Sequence, residues 1–144
     1  MKAIRLVLGW GIAVVVTVVI GSVAQTQFNL AAISGLGVEI GLADRISTTW
    51  HDLRSFTPLY AVIVALAFAL AWPVAGWLKH WLPGHRTLLF TLAGFSAVWV
   101  TIAVMNRALP ITAIGATREL AGTLALAAAG ALAGWVYSRI VAVD

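Results

Sequence analysis

Four stretches of the chain run without Asp, Glu, Lys or Arg: residues 6–38, 55–78, 87–106 and 120–138. A helix that crosses a bilayer needs about 20 consecutive, mostly apolar residues. The spacing therefore predicts membrane-spanning helices over residues 6–24, 58–78, 87–106 and 120–140. The first stretch is too long for one span, so residues 25–57 are expected to form an outer segment of their own. Gln25-Thr26-Gln27-Phe28-Asn29 reads as a polar turn at the membrane surface. Residues 30–42 are apolar but interrupted by Gly35, Gly37 and Gly41, which suits an interfacial or shallow re-entrant element better than a fifth span. Ile46, Trp50, Leu53 and Phe56 then recur at helical spacing, with Ser47 or Thr48 as N-cap, predicting an amphipathic surface helix that leads into Pro58. Between the third and fourth spans, residues 106–119 are long for a turn and apolar enough to fold back on the bundle, with Thr117 as the expected N-cap of the fourth span. The expected architecture is all-α: a four-helix integral membrane bundle, residues 1–144 forming a single transmembrane domain, with an outer amphipathic helix between the first two spans.

Lys2 and Arg5 ahead of an apolar run ending near Ser22-Val23-Ala24 also fit a secretory signal. The apolar run Leu6–Ile20 lies at the long end for such a signal, so the segment is expected to persist as the first span.

Composition narrows the function classes. Of the 144 residues, 62% are hydrophobic and 10% charged, against about 25% charged in a soluble domain. This excludes a soluble enzyme, a disordered tail and a nucleic-acid binder. With no cysteine, disulfides, thiolate metal sites and Cys nucleophiles are also excluded. The formal net charge of +4 is better read as an orientation signal. With the N-terminus inside, Lys2, Arg5, Lys79, Arg86 and Arg139 are cytoplasmic, offset by Asp144 alone. Arg45, Arg54, Arg107 and Arg118 face outward, balanced by Glu39, Asp44, Asp52 and Glu119. The expected location is a bacterial-type cytoplasmic (inner) membrane with both termini cytoplasmic. Trp10, Trp77, Trp81, Trp135 and Tyr137 would mark the inner interface, and Trp50, Phe56 and Tyr60 the outer one.

Inside the membrane the polar residues are Thr17, Ser22, Thr91, Ser96, Thr101 and Thr123, with Asn106 at an edge, and none is ionisable. Proton relays and ion-coupled carriers place ionisable groups at depth, so a coupled transporter is not expected. Pro73 removes one hydrogen bond from the second span and predicts a kink there. Gly122, Gly130 and Gly134 of the fourth span lie on a small-residue surface, including a GxxxG pair, suited to close helix packing within the bundle or against a protein partner or second copy.

Candidate chemistry lies in the outer segments: Gln25, Gln27, Asn29, His51, Asp52, Arg54, Asn106, Arg107, Thr112 and Arg118. The residues most suited to bind a ligand there are His51, Asp52, Arg54, Asn106, Arg107 and Arg118. Ser47, His51 and Ser55 share a helical face, but Asp52, adjacent to His51, points elsewhere and cannot orient the imidazole as a triad requires. His80 and His85 fall on the opposite side from His51, which disfavours a shared metal or haem. No catalytic, metal or cofactor residues are therefore assigned. The arginines could hold an anion, or pair as Arg45–Asp44, Arg54–Asp52 and Arg118–Glu119 on the surface.

These features predict a small multi-pass membrane protein that is a non-enzymatic accessory subunit, or assembly or stability factor, of a larger complex, with membrane lipids as its other partners. The alternative is a lipid- or amphiphile-binding or transport module, with a pocket between the second and fourth spans beneath Arg107 and Arg118. A third reading is a membrane enzyme acting on a lipid-borne substrate, which requires His51 and Asp52 to converge with the arginines.

Overall fold

The computed structural model describes residues 2–141, so Asp144 lies outside the described residues. These residues form five α-helices: α1 (Lys2–Ser34), α2 (Leu42–Ser55), α3 (Thr57–Leu78), α4 (Arg86–Ala108) and α5 (Leu120–Ile140), with a short 3-10 helix, Gly115–Arg118, before α5. Four of them, α1, α3, α4 and α5, are long and apolar enough to cross a membrane. The expected second, third and fourth spans match α3, α4 and α5 to within two residues at each end.

The first span differs. α1 does not stop at Gln25 but continues to Ser34, 33 residues in all. At 1.5 Å per residue it is about 50 Å long, against about 30 Å for a hydrocarbon core. The supposed polar turn stays helical because nothing between Gly21 and Gly35 breaks a helix, and because its polar side chains find partners on α2. α1 ends where glycine permits a reversal: Gly35 N–H donates to the Ala31 carbonyl, and Gly37 takes φ +88°. Residues 30–34 thus belong to a long helix, and the re-entrant element expected there does not form.

α2 also starts earlier than expected. Its N-cap is Gly41, in extended conformation, whose N–H donates to the Asp44 carboxylate at 3.2 Å. Neither Ser47 nor Thr48 caps it. Asp44 sits in the first turn, where a carboxylate suits the positive helix end. A single residue, Phe56, joins α2 to α3 and stacks on Tyr60 with centroids 5.0 Å apart. Pro58 falls in the first turn of α3, where its missing N–H costs nothing. α3 then runs unbroken through Pro73.

α4 and α5 are antiparallel and meet at their glycines. A Cβ on Gly94 would strike the Gly130 carbonyl, one on Gly130 would strike that of Gly94, and one on Gly134 would strike that of Phe90. Gly122 abuts the Ala116 carbonyl in the preceding loop. The small-residue surface of α5 is thus occupied within the chain itself. α1 lies against α5 at both levels: Gly9 meets Tyr137 and Val141, while Gly21 meets Leu126 and Tyr60. Both ends of the described chain therefore lie at the same end of the bundle as the α3–α4 loop.

At that end the core is an aromatic stack. Trp72 lies 4.4 Å from Phe68 and 4.8 Å from Tyr137, with Phe90 edge-on at 5.8 Å. Tyr137 is only 5% exposed and Tyr60 only 2%. Both were expected at membrane interfaces, yet both face inward. Trp77, Trp81 and Trp135 are exposed, as an interfacial belt requires.

Candidate functional site

The polar residues of the outer segments gather at the end of the bundle that carries α2. They form two separate groups, because α1 projects past the first residues of α3 and α5 and is covered on one side by α2 and on the other by the 3-10 helix.

The first group ties α2 to α1. The Thr26 hydroxyl lies 2.7 Å from Asp52 Oδ2 and 3.0 Å from the Ser22 carbonyl. One hydroxyl proton serves one acceptor, and the shorter contact to the carboxylate is the charge-assisted one. At the next residue of α1, Arg45 donates to Gln27 Oε1, Gln27 Nε2 donates to Thr49, and Thr49 donates to the Arg45 carbonyl, at 3.1, 3.1 and 2.7 Å. This closed circuit ties α2 to α1, and Gln27, Arg45 and Thr49 also border a surface hollow with Trp50 and Leu53. Beneath it lies a buried layer of Ser22, Gln25, Thr57 and Tyr60, each with a buried side-chain oxygen lacking a hydrogen-bond partner among the described residues. The α1–α3 contact places Gly21 against Tyr60, so Gln25 and Thr57, one turn outward on each helix, share a level. Sequence reading singled out Gln25 and Asp52 but missed Tyr60 and Thr57. The available signal was the polar i, i+3, i+4 set Ser22, Gln25 and Thr26, which marks one face of a continuing helix.

The expected surface pairs do not form. Arg45 bonds Gln27, Arg54 lies over the Trp50 ring at 4.7 Å, Asp52 accepts from Thr26, and Asp44 accepts from Gly41. Positions one or two apart on a helix do not face each other, so Asp44–Arg45 and Asp52–Arg54 were poorly placed to pair. His51 is exposed, and its ring has no hydrogen-bond partner among the described residues. The Ser55 hydroxyl is spent on the His51 backbone carbonyl at 2.8 Å. The convergence required of a His51–Asp52 acid–base site is thus not present: Asp52 turns toward α1 while His51 faces outward. His80 and His85 lie in the α3–α4 loop at the far end, and no group of three metal-ligating side chains occurs among the described residues.

The second group surrounds the 3-10 helix. Thr117 is not an N-cap for α5. Its hydroxyl donates to the Ile114 carbonyl at 2.7 Å and accepts from Asn106 Nδ2 at 3.3 Å, fastening the loop to the end of α4. Glu119 takes the N-cap position through its backbone alone. A cavity of about 380 Å³ opens between this loop and the outer part of α1. Phe28, Ile33 and Leu36 form its apolar wall, and Asn29, Arg118 and Glu119 are its polar members. Arg107 is exposed and does not line it. The cavity expected between the second and fourth spans beneath Arg107 and Arg118 is therefore displaced to α1, keeping Arg118 alone of the two.

Another hollow lies along the apolar flank of the bundle. Beside the α3–α4 contact runs a groove of about 520 Å³, lined by Ala67, Ala71, Ala93 and Ala97 together with Leu70 and Leu92.

Comparison with protein-family models, curated proteins and solved structures returns no match to this chain.

Proposed function

We propose that the chain is a non-enzymatic accessory subunit, or assembly factor, of a larger membrane complex, and that the α3–α4 groove receives a transmembrane helix of its partner. The groove carries this reading. It extends over Ala67 to Leu78 of α3, about 18 Å or three helical turns, which matches the contact length of two packed helices. Lipid gives helices no hydrophobic reason to associate, so association depends on close packing over small residues. α5 has already used its glycines on α4 and the loop, which leaves the alanine floor between α3 and α4 as the approach open to another helix. A partner engaging α5 directly would have to use its remaining exposed side, around Leu124 and Leu132.

The membrane setting is part of the same proposal: a bacterial-type cytoplasmic membrane, with both termini and the α3–α4 loop on the cytoplasmic side. Lys2, Arg5, Lys79, Arg86 and Arg139 support this orientation.

Purification in mild detergent followed by mass spectrometry tests the accessory role. The expected result is a stoichiometric partner that is lost from Ala71→Leu and Ala97→Leu, which fill the groove, and kept by Val15→Leu on the exposed side of α1. A monomer without a stoichiometric partner, or a partner indifferent to the groove variants, overturns it. Because the chain has no cysteine, orientation is read from single-cysteine variants. An impermeant maleimide should label His51→Cys in intact cells and His85→Cys only after permeabilisation.

A further inference from the structure

The cavity between α1 and the 3-10 helix has a composition that the partner-helix reading does not use. One wall is apolar, formed by Phe28, Ile33 and Leu36, and Leu36 is 84% exposed at the tip of α1. The opposite side carries one guanidinium, Arg118, and one carboxylate, Glu119. These two are sequence neighbours, yet they form no ion pair, and neither side chain has a hydrogen-bond partner among the described residues. Elsewhere at this end the charged groups of α2 are engaged: Arg45 with Gln27, Arg54 with Trp50, Asp52 with Thr26 and Asp44 with Gly41. Arg118 and Glu119 are a cation and an anion, both uncommitted, facing one cavity beside the N-terminus of the 21-residue helix α5.

We propose that this cavity binds the headgroup of a zwitterionic aminophospholipid. Its phosphate bonds the Arg118 guanidinium, aided by the positive end of α5. Its primary ammonium bonds the Glu119 carboxylate, and the start of an acyl chain lies along Phe28, Ile33 and Leu36. A volume of about 380 Å³ falls at the lower end of the small-ligand range, enough for a headgroup and too little for two acyl chains. The site also sits where a headgroup belongs, at the level where α1 passes the first residues of α5.

Charge complementarity selects the lipid class. An anionic headgroup would satisfy Arg118 but face Glu119 unpaired, and the four basic and four acidic residues at this end of the bundle supply no positive field to draw it in. A quaternary choline presents no N–H to a carboxylate, and its usual receptor is an aromatic cage, whereas Phe28 is the single aromatic side chain of this lining. A primary ammonium satisfies Glu119 directly.

The proposal rests on the membrane setting but not on a partner in the α3–α4 groove, so the two can fail separately. The test is native mass spectrometry of the full chain in detergent, titrated with phosphatidylethanolamine, phosphatidylcholine and phosphatidylglycerol of identical acyl chains. Phosphatidylethanolamine should bind about tenfold more tightly than either of the others, the scale of one charge-assisted hydrogen bond. Arg118→Gln should weaken phosphatidylethanolamine and phosphatidylcholine alike, by about tenfold. Glu119→Gln should bring phosphatidylethanolamine down to the phosphatidylcholine level while leaving phosphatidylcholine unchanged. Far-UV circular dichroism and elution volume verify that each variant is folded. Should either fail to fold, Leu36→Asn at the exposed wall should weaken all three lipids while keeping their order. Phosphatidylglycerol binding as tightly as phosphatidylethanolamine, equal binding of all three lipids, or phosphatidylethanolamine binding that survives both charge variants overturns the proposal.

Discussion

α4 meets α5 on one side and α3 on the other, and it treats them oppositely. Toward α5 it presents Gly94, and the backbones approach until a single Cβ on either helix would strike a carbonyl. Toward α3 it presents Ala93 and Ala97, which line an apolar hollow of about 520 Å³. Small residues serve both contacts. What differs is the size of the residues between the helices: Gly94 faces Gly130, whereas α3 and α4 meet through large buried side chains such as Phe68, Trp72 and Phe90. A small-residue run in a membrane sequence thus has two outcomes, a closed seam or an open groove, and the facing residue decides which.

The contrast is broken most strongly at the seam. Gly130→Ala puts a Cβ against backbone that cannot rotate away, and should cost about 1–3 kcal/mol by overpacking, read as a lower midpoint in detergent thermal unfolding. Thr26→Val tests whether the α1–α2 tie resembles the seam. It leaves the Asp52 carboxylate without its 2.7 Å donor, and about 1–2 kcal/mol should be lost. Gly76→Ala should move the other way. Beyond its chain neighbours and its own helix backbone, no atom lies within 4 Å of the position its Cβ would take, so it should gain about 0.5–1 kcal/mol of helix stability, a rise in the same midpoint. The smallest effect belongs to the groove itself: Ala97→Leu projects into empty space and should alter chain stability by no more than about 0.5 kcal/mol. If Ala97→Leu destabilised the isolated chain as much as Gly130→Ala, the groove would be a closed seam after all.

Charge-free length made α3, α4 and α5 legible almost to the residue, because the chain offers few other places to put an apolar helix. The outer end of α1 was not legible. Gln25, Gln27 and Asn29 are polar, and polarity after a span reads as a turn. They stay helical because Thr26 and Gln27 are bonded by residues 22 to 26 positions further along, on α2. The caps were misassigned for a related reason: Ser47, Thr48 and Thr117 have capping side chains, but the extended backbone at Gly41 and Glu119 marks where the helices start. Tyr60 and Tyr137 were placed at interfaces by depth alone, whereas their burial depends on which way each helix is turned. Of the candidate ligand residues, Arg118 lines a cavity, Asp52 and Asn106 hold elements together, Arg54 covers Trp50, and His51 and Arg107 are exposed without ligand geometry.

The contacts of α1 with Leu126, Tyr137 and Val141 bear on biogenesis. α1 leaves the ribosome before α5, so the neighbour that covers Gly9 and helps cover Gly21 is missing until α2, α3 and α4 have been made. α4 and α5 have no such delay, since an 11-residue connection lets them close as a hairpin as soon as both are made. In the interval α2 and α3 can already close over the polar residues Thr26 and Gln27 and over Gly21, whereas Gly9 waits for Tyr137, and α5 completes the packing of α1.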